Sequence, residues 1–100
     1  MAAPSNAPAV KLIEPAEGSS SGHISLFRWE PVEGADGYRV QVTAATDRRI
    51  VWDSPVMAET EAHLPNTIAL EPESYYWQVT ALKGDQVVVA SPPSRFLVTP

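Results

Sequence analysis

The sequence predicts an all-β domain built as a seven-stranded antiparallel β-sandwich, and three observations lead to this fold class. Apolar and polar residues alternate over residues 38–44 and again over residues 75–82, which is the pattern of a strand with one buried face. Val, Ile and Thr supply 21 of the 100 residues, and these β-branched side chains favour a pleated sheet. Ten prolines, spread along the whole chain, leave little room for a long helix.

Turn residues divide the chain into short strands. Residues 19–22, Ser-Ser-Ser-Gly, are predicted as a loop. The last strand is predicted to break or to switch partner at Pro92 and Pro93, because a proline pair cannot continue a central ladder. The seven strands are predicted at residues 10–13, 24–30, 38–44, 50–53, 60–64, 75–82 and 86–90, the last of them resuming over residues 95–99.

The length of the chain fits one domain of ordinary size. Residues 1–8 show no apolar periodicity and are predicted to be a disordered leader, followed by a single domain over residues 9–99. The leader lacks the basic start and apolar stretch of a signal peptide. We interpret Met1 as an expression start placed before an excised domain, so we expect the chain to be part of a longer protein.

Composition excludes several classes of protein. The net charge of −5 argues against a nucleic-acid partner, because such a surface must neutralise phosphates. No apolar run approaches the roughly 20 residues of a membrane-spanning helix, so direct membrane insertion of this segment is not expected. The absence of cysteine rules out disulfides and thiolate zinc sites.

Strand alternation also predicts which side chains form the core. Tyr75 and Trp77 share one face of their strand, as Phe27 and Trp29 do on an earlier one. The residues predicted to point inward are Trp29, Tyr38, Val40, Val42, Tyr75, Trp77, Val79 and Phe96.

Three stretches together resemble a fibronectin type III domain, an immunoglobulin-like sandwich. Phe-Arg-Trp-Glu-Pro-Val at residues 27–32 and Tyr-Arg-Val-Gln-Val at residues 38–42 resemble the family's second and third strands. Leu-Glu-Pro at residues 70–72 and Tyr-Tyr-Trp-Gln-Val-Thr-Ala at residues 75–81 resemble the segment with the family's corner tyrosine. Residues 91–98 resemble the final strand, so the ordered set covers nearly the whole chain.

The resemblance is to modules of bacterial envelope proteins, including the ectodomains of membrane-anchored anti-sigma regulators. It implies a location outside the cytoplasm, in the periplasm, at the cell surface or in the medium. It also implies a corner tyrosine whose hydroxyl bonds to nearby backbone. We assign that role to Tyr75 rather than Tyr76, because Trp77, Val79 and Ala81 then share its inward face.

No residue pattern predicts catalytic, cofactor-binding or metal-binding chemistry, so the domain is predicted not to be an enzyme. His23 and His63 fall on separate segments and are expected to lie far apart as solvent-facing residues. The carboxylates are scattered and are interpreted as solvated. The Arg48–Arg49 doublet is interpreted as a solubilising feature of a loop.

A candidate protein-contact surface comprises Trp52, Ile50, Arg39, Gln41, Tyr76 and Gln78. The last four are expected on the outer face of a sheet, where Tyr and Arg favour interfaces. Trp52 either caps the core or belongs to a contact surface. Residues 50–52 form an apolar edge with no Lys or Pro to prevent strand pairing. This edge is expected either to be covered by residues 56–64 or to pair with another chain, giving weak self-association.

These observations predict a non-catalytic interaction or spacer module of a bacterial envelope or secreted protein, with an unidentified protein partner. One alternative is the extracytoplasmic sensory domain of a membrane-anchored anti-sigma-type regulator, which the neighbouring sequence would decide. Another is an accessory carbohydrate-binding module beside a hydrolase. That module would need a planar row of exposed aromatic side chains, for which Tyr76 and Trp52 are available.

Overall fold

A computed structural model of the protein describes residues 10–100, and every regular element in that range is a β-strand. The predicted leader, residues 1–8, lies outside the described residues. The strands are β1 (Leu12–Glu14), β2 (Ser19–Ser21), β3 (Leu26–Trp29), β4 (Gly37–Ala44), β5 (Ile50–Asp53), β6 (Glu61–His63), β7 (Ser74–Lys83), β8 (Gln86–Ala90) and β9 (Ser94–Val98).

The strands form two sheets that enclose one core. The smaller sheet has the order β1-β3-β6, and its two strand pairs are antiparallel. The larger sheet has six strands in the order β2-β9-β7-β4-β5, with β8 also paired to β7. The prediction of an all-β, sandwich-like domain is therefore confirmed.

The number of strands is nine rather than the predicted seven. The predicted loop at residues 19–22 instead contains β2, which runs parallel to β9 with Ser19 opposite Phe96. Three serines carry no apolar alternation, so the sequence does not indicate a strand here, and the pairing with β9 is seen only in the structure. The predicted interruption at Pro92 and Pro93 splits the last strand into β8 and β9, and both halves pair with β7.

All eight residues predicted to point inward are buried. Phe27 lies at the centre of the aromatic cluster, with its ring centroid 5.2 Å from that of Trp77 and 5.9 Å from that of Phe96. Facing aromatic side chains from the two sheets thus fill the space between them, which is where most of the apolar area of a sandwich is buried.

Polar atoms of the core aromatic residues tie connecting segments to the sheets. The Tyr75 hydroxyl donates to the Glu71 carbonyl over 2.8 Å, as the parity argument for this residue predicts. Trp77 Nε1 donates to the Pro15 carbonyl over 3.1 Å, across 62 positions of sequence. These bonds hold the segment before β7 and the segment after β1 against the same core.

Candidate protein-contact surface

The register of the larger sheet brings five of the six candidate residues onto one surface. Gln41 of β4 lies directly opposite Gln78 of β7, and Thr43 lies opposite both Tyr76 of β7 and Ile50 of β5. Paired residues point to the same side of a sheet. Arg39, Gln41, Ile50, Tyr76 and Gln78 therefore share the outward-facing side of the larger sheet, here called the outer face.

Trp52 lies on the opposite side of the larger sheet and is only 8% exposed. It pairs with the buried Val42, and its ring centroid is 5.9 Å from that of Phe27. Trp52 therefore caps the core, which was the first of its two predicted alternatives, and it is not part of the contact surface.

A β-bulge explains why Ile50 and Trp52 separate. Two residues apart on a regular strand, they would share a face. The register of β4 and β5 shifts between Val42 and Thr43, so that Val51 has no partner. Ile50 consequently sits on the outer face with 56% of its surface exposed, while Trp52 points inward.

Arg39 is held in place by an ion pair on the outer face. Its Nη2 atom donates to both carboxylate oxygens of Asp53 over 2.8 Å. Both side chains are more than two-fifths exposed, so the pair contributes no more than about 1 kcal/mol. Its main effect is to neutralise Arg39 and to orient it across the β4–β5 pair.

Tyr76 forms the floor of a shallow groove on the outer face and is 39% exposed. Gln78 extends this floor along β7. Arg95 of β9 lies directly opposite Tyr76 on the side away from β4. The remaining lining residues are Thr43, Ala44, Ala45, Arg48 and Pro93.

The β4–β5 turn brings Arg48 to this groove. The Arg48 N–H donates to the Ala44 carbonyl over 3.0 Å, and Arg48 adopts a left-handed φ of 59°. The neighbouring Arg49 is bound by Asp47, whose Oδ2 lies 2.8 Å from its Nη1. The two arginines of the doublet therefore have different environments, which the sequence interpretation as a solubilising loop missed. Arg95 and Pro93 were missed because nothing in the sequence shows that β9 flanks Tyr76.

The two histidines border a second cleft, at the end of the sandwich where β3 begins and β6 ends. His23 and His63 are both among the residues that line it. Leu26 pairs with His63, and this register brings the segment before β3 beside the segment after β6. Within residues 10–100, no three His, Asp or Glu side chains gather into a metal-binding group.

The outer edge of β5 is not paired with residues 56–64. Met57 exchanges two backbone hydrogen bonds with Tyr38 of β4, of 2.7 and 2.9 Å, and β6 pairs with β3 in the other sheet. The segment therefore continues the edge of β4 and then crosses to the smaller sheet. The bulge at Val51 disturbs the edge that β5 presents, which is a common protection against strand addition.

None of the elements described for residues 10–100 is an apolar helix long enough to cross a bilayer. In comparisons with known proteins, no protein-family model matches the chain. No curated protein matches it either.

Proposed function

We propose that the chain is a fibronectin type III-like domain that serves as a non-catalytic interaction module. The strand order supports the family proposal: β1, β3 and β6 oppose a sheet centred on β4 and β7. The Tyr75 hydroxyl bond to Glu71, four residues upstream, is similar to the tyrosine corner of immunoglobulin-like sandwiches.

One observation carries the proposed role in binding. Five outward side chains of β4, β5 and β7 form one continuous surface with an exposed tyrosine. Four of the five belong to the β4–β7 pair, which has eight residue pairs in register. A preorganised surface of this kind loses little conformational entropy on binding.

The resemblance to bacterial envelope modules supports a location outside the cytoplasm, within a longer envelope or secreted protein. A carbohydrate-binding role has less support. It depends on a row of exposed aromatic side chains, and Trp52 is in the core.

Site-specific photo-crosslinking tests the proposed binding role. A photoreactive phenylalanine analogue replaces Tyr76 in the protein produced from its own gene in its own cells. A matched variant carries the analogue at His63, whose side chain is 73% exposed on the smaller sheet. We expect protein adducts from position 76 and none of the same mass from position 63. Absence of adducts from position 76 would leave only a spacer role.

A further inference from the structure

The groove around Tyr76 carries positive charge that the domain itself does not neutralise. Within residues 10–100, the ion pairs of arginine involve Arg28, Arg39 and Arg49. Arg48 lines the groove and makes no ion pair there, and the Arg95 guanidinium donates only to the Ser74 hydroxyl, over 3.3 Å. Two exposed guanidinium groups thus flank one exposed tyrosine.

The carboxylates near this groove are all bonded elsewhere. Asp53 binds Arg39, Asp47 binds Arg49, and Glu73 lies 3.6 Å from Arg49. Glu17 accepts hydrogen bonds from the Arg95 backbone N–H and the Ser94 hydroxyl, and not from the Arg95 guanidinium. The guanidinium groups of Arg48 and Arg95 are therefore left for a carboxylate of a ligand, although the whole chain has a net charge of −5.

The other groove residues suit an extended polypeptide. The flat ring of Tyr76 offers an apolar platform with a polar tip, and the adjacent Gln41 and Gln78 offer amide donors and acceptors. Ala45, with only a methyl side chain, lines the groove end nearest Arg48. A guanidinium matches the two oxygens of a carboxylate.

We propose that this groove binds an acidic, extended segment of a partner protein, with Asp or Glu carboxylates on Arg48 and Arg95 and the chain lying over Tyr76. This inference rests on the proposed interaction role and names the partner's chemistry. A nucleic-acid strand fits less well, because two cations neutralise few phosphates and the chain's net charge opposes the rest.

A titration with a simple acidic peptide tests the proposal. A hexaglutamate peptide with blocked ends is added to the isotope-labelled protein, and backbone amide shifts are followed by NMR. We expect saturable shifts at residues 43–48, 76–78 and 93–95. Each of the variants Arg48→Asn and Arg95→Gln should weaken binding about fivefold to tenfold. Asparagine is chosen at position 48 because it tolerates the left-handed backbone there.

The matched control is Lys83→Gln, which makes the same change in net charge at the exposed last residue of β7. We expect it to leave the affinity nearly unchanged. The proposal is overturned if hexaglutamate gives no saturable shifts, or if Lys83→Gln weakens binding as much as the arginine variants. It is also overturned if a six-nucleotide thymidine strand binds more tightly at the same residues.

The photo-crosslinked adduct separates failure of this inference from failure of the proposed function. Mass spectrometry of the adduct from position 76 identifies the partner segment that touches the groove. A segment rich in Asp or Glu supports acidic recognition. A segment without them refutes it while leaving the interaction role intact.

Discussion

Ser54 and Val40 exchange two hydrogen bonds, and in one of them the Ser54 hydroxyl is the acceptor in place of a backbone carbonyl. The Ser54 N–H donates to the Val40 carbonyl over 2.8 Å, and the Val40 N–H donates to Ser54 Oγ over 2.8 Å. Ser91 and Val79 form the same arrangement, with bonds of 2.8 and 2.9 Å. A proline follows each serine and the regular backbone ladder is interrupted there, so Oγ bonds an amide that would otherwise be unpaired.

Replacing either serine should therefore destabilise the domain. Ser54→Ala and Ser91→Ala each leave a buried valine amide without an acceptor, which costs about 1–3 kcal/mol in free energy of unfolding. Urea unfolding followed by tryptophan fluorescence measures this loss. Ser20→Ala on the exposed face of β2 is the control and should change stability by less than about 0.5 kcal/mol. Equal effects at all three positions would contradict the role of the two hydroxyl groups.

The core tryptophans should respond differently to replacement by phenylalanine. Trp77→Phe removes the bond from Nε1 to the Pro15 carbonyl, whereas Trp29 Nε1 is buried with no partner among the described residues. Both changes remove a similar volume, so we expect Trp77→Phe to cost about 1 kcal/mol more than Trp29→Phe. Thermal or urea unfolding of the two variants makes the comparison. A larger loss for Trp29→Phe would show that the Pro15 contact contributes little.

Tyr75 should make the domain less stable in strong base. Burial, together with the nearby Glu73 carboxylate, raises the pKa of Tyr75 above its ordinary value of 10.0. The unfolded chain then loses this proton at lower pH than the folded one, so stability falls as the pH rises above about 10. Urea unfolding between pH 8 and pH 11 should show the decrease.

The variant Tyr75→Phe tests whether Tyr75 causes the loss of stability above pH 10. The variant loses the bond to the Glu71 carbonyl and should be about 1 kcal/mol less stable at pH 8. Its further decrease above pH 10 should be smaller than that of the wild type. A decrease of the same size in both proteins would assign the alkaline effect to other groups.

Trp52→Ala should lower stability without changing association. Removing a buried tryptophan from contact with Phe27 is expected to cost about 3–5 kcal/mol. Sedimentation across a concentration series, at a temperature where the variant stays folded, measures self-association of both proteins. If the variant stays folded and stable but self-associates more weakly, the prediction is wrong and Trp52 takes part in the contact.

The larger part of the fold follows from the sequence, for a physical reason. Side chains alternate with period two along a strand, so the polarity of residues 38–44 and 75–82 is enough to predict strands and their buried faces. The same parity selects Tyr75 as the tyrosine with the buried hydroxyl, and places Arg39, Gln41, Tyr76 and Gln78 outward. Local pattern determines these features because they depend only on which side of a strand a residue faces.

Only the tertiary structure decided which strands lie side by side and where the regular alternation breaks. No apolar pattern in the sequence predicts the parallel pairing of β2 with β9. The bulge at Val51 places Ile50 and Trp52 on opposite faces, although their spacing predicts a shared face. The neighbours of Tyr76, Arg95 on one side and Arg48 from the turn, come from distant parts of the chain. Strand register joins residues that sequence spacing leaves unrelated, so the groove exists only in the assembled sheet.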